Sequence, residues 1–211
     1  LFPYTTLFRS GIDYYVERAR GGVGLIVSGI CLPTLEIEFK PLMEKGISPL
    51  LRSDTRDVIP RLKELTDSVH DYGTKIVVQL SAGFGRVLSP HFQLALGLDN
   101  VAPSALPNVW DLSKITRELT TEEVEKLVNS FGNAADIVAE AGFDGIELHG
   151  HEGYMMDQFI TSIWNRRTDR YGGNLDGRLR FILEIIEIIK YRAGKDFPVI
   201  FRYAVKHYIE G

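Results

Sequence analysis

Three polar residues stand out because each lies in or just after the last part of a short apolar segment. Gln79 follows KIVV, His149 lies in FDGIELHG, and Arg202 lies in the apolar segment 198–204. An amide, an imidazole and a guanidinium can all bind a ligand through hydrogen bonds. If the apolar segments are strands of a (β/α)8 barrel, these are the positions where an active site forms. Taken alone, each residue is equally compatible with a structural role.

The apolar segments alternate with helical patterns. Strands are predicted at 23–30, 75–80, 143–150 and 198–204. Helices are predicted to end at residue 20, to cover 58–72 and 120–141, and to end before Gly194. Thr120 and Glu123 have the spacing of a capping box. Two long connections, 81–119 and 151–177, show no clear period, and such loops are usually functional or disordered.

Repeated helix and strand units predict an α/β fold with a parallel sheet covered on both faces. The chain contains no GxGxxG or GxxxxGK[ST] motif at a strand-to-helix turn, which favours a barrel over a nucleotide-binding doubly wound sheet. Its 211 residues and four apparent strands are fewer than the eight strands and about 250 residues of a complete barrel. The sequence therefore predicts a partial (β/α)8 TIM barrel.

The composition excludes several classes of partner. The chain is 45% hydrophobic and 25% charged, with a net charge of -4, as in an average globular protein. We expect no nucleic-acid partner and no membrane partner, because there is no basic cluster and no apolar run of about 18 residues. Cys31 is the only cysteine, so an intrachain disulfide is excluded and no metal ligand is assigned. A cytoplasmic protein is expected, and its oligomeric state stays open.

Four stretches carry a resemblance to a known family: VVQLSAGFGR (77–86), PSALPNVWD (103–111), ELHGHEGYMMDQF (147–159) and NRRTDRYGG (165–173). Together they resemble the old yellow enzyme family of NADH:flavin oxidoreductases, and in particular its 2,4-dienoyl-CoA reductase and 2-enoate reductase branch. The resemblance covers 12–211 and corresponds to about strands two to five of the barrel. It implies an FMN-dependent ene-reductase that uses NAD(P)H to reduce the activated C=C bond of an enoate or an enoyl or dienoyl thioester.

The resemblance also implies residue roles. Gln79 and Arg202 would bind FMN, the amide at the pyrimidine edge and the cation beside N1 and the C2 carbonyl. His149 would face the substrate and polarise its carbonyl, while Tyr154, protonated at neutral pH, would donate a proton to the α-carbon. Glu152 would contact substrate but departs from the His or Asn of classical members, and its HEGY form resembles the dienoyl-CoA and enoate branch. A carboxylate there favours a thioester or an extended enoate.

Other residues are given structural interpretations. NRRTDRYGG is expected to be a clamp in which Arg166, Arg167 and Asp169 form charge-assisted hydrogen bonds. His151 is expected to be a loop residue and Cys31 a small buried one. Two alternatives to the ene-reductase stay open: a flavin-dependent amine dehydrogenase, whose type shares NRRTDRYGG, and an inactive fragment or half-barrel subunit.

The first ten residues, LFPYTTLFRS, do not fit the pattern that follows. We expect residues 1–10 to be a foreign leader and 11–211 to be the N-terminal part of an FMN-binding barrel domain, truncated at both ends. The strands that complete the barrel and hold the FMN phosphate would then lie outside this chain, as would a 4Fe-4S cluster and FAD. On this interpretation the chain alone does not retain FMN and is inactive.

Overall fold

A computed structural model describes residues 4–44 and 52–207. Its helices are α1 (Tyr4–Arg20), α2 (Lys40–Glu44), α3 (Ile59–His70), α4 (Pro90–Leu96), α5 (Thr121–Glu140), α6 (Met155–Ile160) and α7 (Leu175–Ala193). Its strands are β1 (Leu25–Cys31), β2 (Lys75–Leu80), β3 (Val101–Ala102), β4 (Arg117–Glu118), β5 (Gly145–Gly150) and β6 (Val199–Tyr203). Two single turns of 3-10 helix, Arg56–Val58 and Gly85–Val87, complete the set.

The main sheet contains four parallel strands in the order β1-β2-β5-β6. Helices connect these strands, as parallel pairing requires. β3 and β4 form a separate parallel pair within the long connection between β2 and α5. The alternating α/β architecture predicted from the sequence is therefore confirmed, with neighbouring strands in the order of a barrel wall.

The core lies between the sheet and the helices. Every residue of β5 is buried, as are the last five residues of β2, which is typical of parallel strands that are covered on both faces. Helix α5 packs against α7 at Gly132, where an added Cβ would lie 2.8 Å from Cγ1 of Ile188. Phe131 and Phe181 are fully buried in the same cluster.

The predicted strands and helices agree with the structure to within a few residues, and β2 matches at both ends. The two long connections contain more structure than predicted: the first holds α4, β3 and β4, and the second holds α6. Tertiary contacts hold the segments that flank the short elements of the first connection. Asn108 donates through Nδ2 to the Leu88 carbonyl at 2.7 Å, and Trp110 donates through Nε1 to the Val87 carbonyl at 2.9 Å.

Helix α1 runs across the predicted boundary between residues 10 and 11. Residues 1–3 of the predicted leader lie outside the described residues. The foreign origin of 1–10 stays a prediction.

The NRRTDRYGG segment is a clamp, as predicted. Arg167 is buried, forms an ion pair with Asp169 at 2.6 Å, and donates to the carbonyls of Pro103 and Leu119 at 3.0 and 2.6 Å. Arg166 contributes differently, because its side chain is exposed and its backbone N–H donates to Ser104 Oγ. The clamp thus joins the connection after β2 to the segment that precedes α7.

No helix in the described part of the chain is long and apolar enough to cross a membrane. Cys31 is fully buried, and burial raises the pKa of its thiol to about 12.

The predicted capping box is present at the start of α5 and gives a stability test. Thr120 accepts from the Glu123 backbone N–H at 3.2 Å, and the Glu123 carboxylate accepts from the Thr120 N–H at 2.9 Å. Thr120→Ala is expected to lower the free energy of unfolding by about 1 kcal/mol in urea titrations, because a helix N–H loses its partner. Ser162→Ala, at an exposed position, serves as the control, and equal stability of the two variants would contradict the prediction.

Candidate functional site

The predicted site residues gather at the carboxyl ends of β2, β5 and β6. Strand register explains this: Gln79 pairs with Glu147 across β2 and β5, and His149 pairs with Arg202 across β5 and β6. Tyr154 follows β5 at the start of α6. The structure therefore brings Gln79, His149, Tyr154 and Arg202 to one edge of the sheet.

Glu147 links the two predicted flavin-binding residues. Gln79 is buried and donates through Nε2 to Glu147 Oε1 at 2.6 Å. Arg202 Nη1 lies 3.9 Å from the same oxygen, while just over half of the Arg202 side chain is exposed. Because Glu147 is itself buried, it fixes the orientation of the Gln79 amide and attracts the guanidinium. The sequence interpretation did not assign Glu147 a role.

His149 and Tyr154 form the second part of the site. Their ring centroids lie 4.6 Å apart at an interplanar angle of 65°. Burial lowers the pKa of His149 to about 4, assisted by the neighbouring His151. Burial also raises the pKa of Tyr154, and the charge of Glu152 raises it further. At neutral pH the site therefore presents a neutral imidazole beside a protonated phenol.

The turn before Tyr154 is held by two buried side chains of α6. The Gly153 backbone N–H donates to Asp157 Oδ2 at 2.8 Å, and Gln158 donates to the Gly153 carbonyl at 2.5 Å. Gln158 also donates to the Phe84 carbonyl at 3.0 Å. These contacts connect the turn after β5 to the loop after β2, so the position of Tyr154 depends on both.

Glu152 projects from this turn. Its backbone has φ of 60°, the left-handed region, and its side chain is 64% exposed. His151 Nδ1 lies 3.4 Å from Glu152 Oε1. His151 is a loop residue, as predicted, and it also contacts the ring of His149 with centroids 4.6 Å apart.

A buried carboxylate anchors the loop after β2. Glu38, on the connection after β1, accepts from the backbone N–H groups of Phe84 and Gly85 at 2.7 and 3.0 Å. The Phe84 ring then contacts Tyr154, with centroids 5.6 Å apart. Burial raises the pKa of Glu38 to about 8 against the lowering effect of the two N–H groups, and Asp99 raises it further. Sequence reasoning missed Glu38 because its partners are backbone groups about 46 residues away.

Polar and titratable side chains at the carboxyl edge of a parallel β/α sheet are typical of the active sites of α/β enzymes, including those with the barrel fold. The particular family follows from comparison with known proteins: the chain belongs to the NADH:flavin oxidoreductase / NADH oxidase family, whose model matches residues 5–211. This membership confirms the resemblance drawn from the four sequence motifs. It implies FMN and a nicotinamide reductant as the cofactors.

Individual relatives agree with the family. The chain is 47% identical over 206 residues to cinnamate reductase from Clostridium sporogenes, covering 96% of the chain and 30% of that relative. Three solved structures share its fold. Histamine dehydrogenase from Rhizobium sp. 4-9 has a TM-score of 0.74 and 30% identity, over 92% of this chain and 28% of its own. Old yellow enzyme from Pichia sp. AKU4542 has a TM-score of 0.73 and 29% identity, over 91% and 50%, and 2-naphthoyl-CoA reductase in complex with 2-naphthoyl-CoA has a TM-score of 0.75 and 28% identity, over 91% and 29%. They confirm the partial barrel. The chain spans about 30% of the length of cinnamate reductase.

The residues at the sheet edge fit a flavin. The pyrimidine edge of a flavin requires both a donor and an acceptor, which one amide such as Gln79 provides. Arg202 offers a partly exposed cation 3.9 Å from the Glu147 oxygen that the Gln79 amide contacts. His149 Nδ1 is buried and has no hydrogen-bond partner among the described residues, so it is available to a bound molecule. Gln79 and Arg202 are therefore candidates for holding FMN, and Glu147 contacts the Gln79 amide and lies 3.9 Å from the Arg202 guanidinium.

One sequence signal would have found Glu147. It lies two residues before His149 in a strand that is buried on both faces, so the two polar side chains point to the same face. A carboxylate and an imidazole on one face of such a strand require hydrogen-bond partners. Gln79 is the partner of Glu147, whereas His149 Nδ1 faces no partner among the described residues. Asp157 and Gln158 gave no comparable signal, because α6 was not predicted.

The raised pKa of Glu38 predicts a pH-dependent stability. The folded protein binds this proton up to about pH 8, whereas the unfolded chain releases it near 4.5, so the contribution of Glu38 to stability falls as pH rises between these values. Glu38→Gln should remove this slope, so its free energy of unfolding should rise relative to that of the unmutated protein by ~1 kcal/mol per pH unit between pH 5 and 8. Urea titrations at four pH values measure the difference.

Glu36→Gln is the matched control for this measurement, because Glu36 is two residues away and exposed. Its stability should follow that of the unmutated protein across the same pH range. Parallel pH profiles for all three proteins would rule out a buried Glu38 with a raised pKa.

Proposed function

We propose that the protein containing this chain is an FMN-dependent ene-reductase that reduces the activated C=C bond of an enoate or an enoyl thioester with NAD(P)H. The observation that carries the proposal is the contact between a neutral His149 and a protonated Tyr154 at the carboxyl end of β5. The similarity to cinnamate reductase supports it, since cinnamate is an α,β-unsaturated carboxylate.

Gln79 and Arg202 would hold FMN, and the flavin would supply hydride chemistry at the β-carbon of the substrate, with NAD(P)H as the reductant. His149 donates a hydrogen bond to the substrate carbonyl oxygen and stabilises the negative charge that develops there. Tyr154 delivers its hydroxyl proton to the α-carbon. The C=C π bond is thereby replaced by two C–H bonds. The raised pKa of Tyr154 helps the phenolate to recover its proton before the next turnover.

Glu152 bears on the substrate class. Its charge repels a free carboxylate placed beside it, whereas the neutral carbonyl of a thioester avoids this repulsion. An extended enoate avoids it as well, because its carboxylate lies farther from the reacting bond. We propose that Glu152 lines the substrate site and favours both of these forms over a free carboxylate held beside it.

The proposal extends to the parts of the protein outside this chain. A 4Fe-4S cluster requires four thiolates, and Cys31 is the only cysteine here and is buried. A cluster and FAD, which the likeness to the dienoyl-CoA reductase branch implies, would therefore be bound elsewhere. A cytoplasmic location, where NAD(P)H is available, belongs to the same proposal.

A second candidate is an amine dehydrogenase. The structural similarity to histamine dehydrogenase, at 30% identity, favours it. In that reaction an amine is oxidised and no proton donor to a carbon is needed, so Tyr154 would not act as an acid. The substrate profile separates the two functions: reduction of cinnamate or a cinnamoyl thioester supports the ene-reductase, and oxidation of histamine or a tertiary amine supports the alternative.

Tyr154→Phe tests the proposed proton donor. In the intact FMN-loaded enzyme, this change should lower kcat for cinnamate reduction by about 10²- to 10⁴-fold, because the phenol oxygen that carries the proton is removed. Anaerobic assays that follow NAD(P)H consumption and the saturated product measure the effect. The rate of flavin reduction by NAD(P)H should stay within a few-fold, since that step does not use the proton of Tyr154.

Tyr191→Phe is the control, because Tyr191 lies on α7 and is 85% exposed. It should leave both half-reactions unchanged. A Tyr154→Phe enzyme with normal kcat for the enoate would disprove the assignment.

A further inference from the structure

His149, His151 and Glu152 form a cluster of possible metal ligands, called here the His-His-Glu cluster. One ligand atom from each residue lies within 4.8 Å of those of the other two. The two imidazole rings are 4.6 Å apart, and His151 Nδ1 is 3.4 Å from Glu152 Oε1. The last residues of β5 and the turn before Tyr154 supply all three.

The cluster contains an unsatisfied polar atom. His149 is only 4% exposed, and its Nδ1 has no hydrogen-bond partner among the described residues. A buried nitrogen without a partner is costly, so a ligand that satisfied it would gain binding energy. Neutral imidazole is also the form that coordinates metals.

The backbone conformation of Glu152 also brings its side chain into the His-His-Glu cluster. Glu152 is the one non-glycine residue in the described part of the chain with a positive φ, at 60°. This conformation is uncommon for residues with a side chain. It places the carboxylate beside His151.

We propose that the His-His-Glu cluster binds a zinc ion reversibly. Two imidazole nitrogens and one carboxylate oxygen are a known zinc ligand set, with a fourth position open for water. Tetrahedral zinc with bonds of about 2.0–2.2 Å holds its ligand atoms about 3.5 Å apart, so the three ligand atoms, which lie within 4.8 Å of one another, must approach by about 1 Å to close the cluster. The exposed Glu152 side chain is free to make this movement. The ion is an inhibitor on this view, not a resident cofactor.

Inhibition rests on the proposed function, whereas binding does not. A zinc ion held by His149 takes the imidazole away from the substrate carbonyl, so zinc should compete with the enoate. Magnesium should not inhibit at equal concentration, because it prefers oxygen ligands and retains its water.

Equilibrium dialysis of the intact FMN-loaded enzyme against zinc chloride tests the binding directly. The expected result is one zinc ion per chain, with a dissociation constant that rises at least about tenfold in His151→Gln. Basal activity should persist in this variant, since His151 has no assigned part in the reaction. His91→Gln, with an exposed imidazole on α4, should bind zinc as the unmutated enzyme does.

Two outcomes would overturn the proposal: zinc binding that is unchanged in both His151→Gln and Glu152→Gln, or no zinc binding at all. If zinc binds through His151 and the enzyme reduces no enoate, the metal site stands and the proposed function fails. If the enzyme reduces enoates and zinc competes only in the presence of His151, both are supported.

Discussion

The register of β5 with its two neighbours determines which side chains can act together. Parallel pairing places Gln79 beside Glu147 and Arg202 beside His149. Because side chains alternate between the two faces of a strand, a slip of one residue would turn Glu147 and His149 to the opposite face. Such a slip would be costly, because it would also turn the fully buried Ile146 and Leu148 away from the core, so the hydrophobic core and the arrangement of the site are specified by the same interaction.

Burial also sets the protonation states at the site. Loss of solvent disfavours the charged form of each group, which lowers the pKa of His149 and raises the pKa of Tyr154. Both groups are consequently neutral across the physiological range, and each keeps a hydrogen to donate. No dedicated counter-charge is required, because burial at the strand end favours the neutral form of both side chains.

Sequence reasoning recovered the parts of the structure that follow from local pattern. The strands and long helices were found because their apolar residues repeat with a fixed period, and the capping box because Thr120 and Glu123 are three residues apart. The site residues were found through motifs that resemble a family, not through spacing alone. Glu38 and the helix α6 were missed because both depend on contacts between segments that are distant in the chain.

These missed contacts explain how the proton donor is positioned. Glu38 holds the Phe84–Gly85 backbone from the connection after β1, and Gln158 joins Phe84 to Gly153 beside Tyr154. Gly85 has φ of 63°, and a Cβ at this position would clash with the Gln158 side chain. The loop after β2 is therefore held by two side chains, Gln158 and Glu38, and burial opposes the ionisation of the Glu38 carboxylate. Since the Phe84 ring packs against Tyr154, the geometry of the acid depends on loops that follow three different strands, and not on the HEGY segment alone.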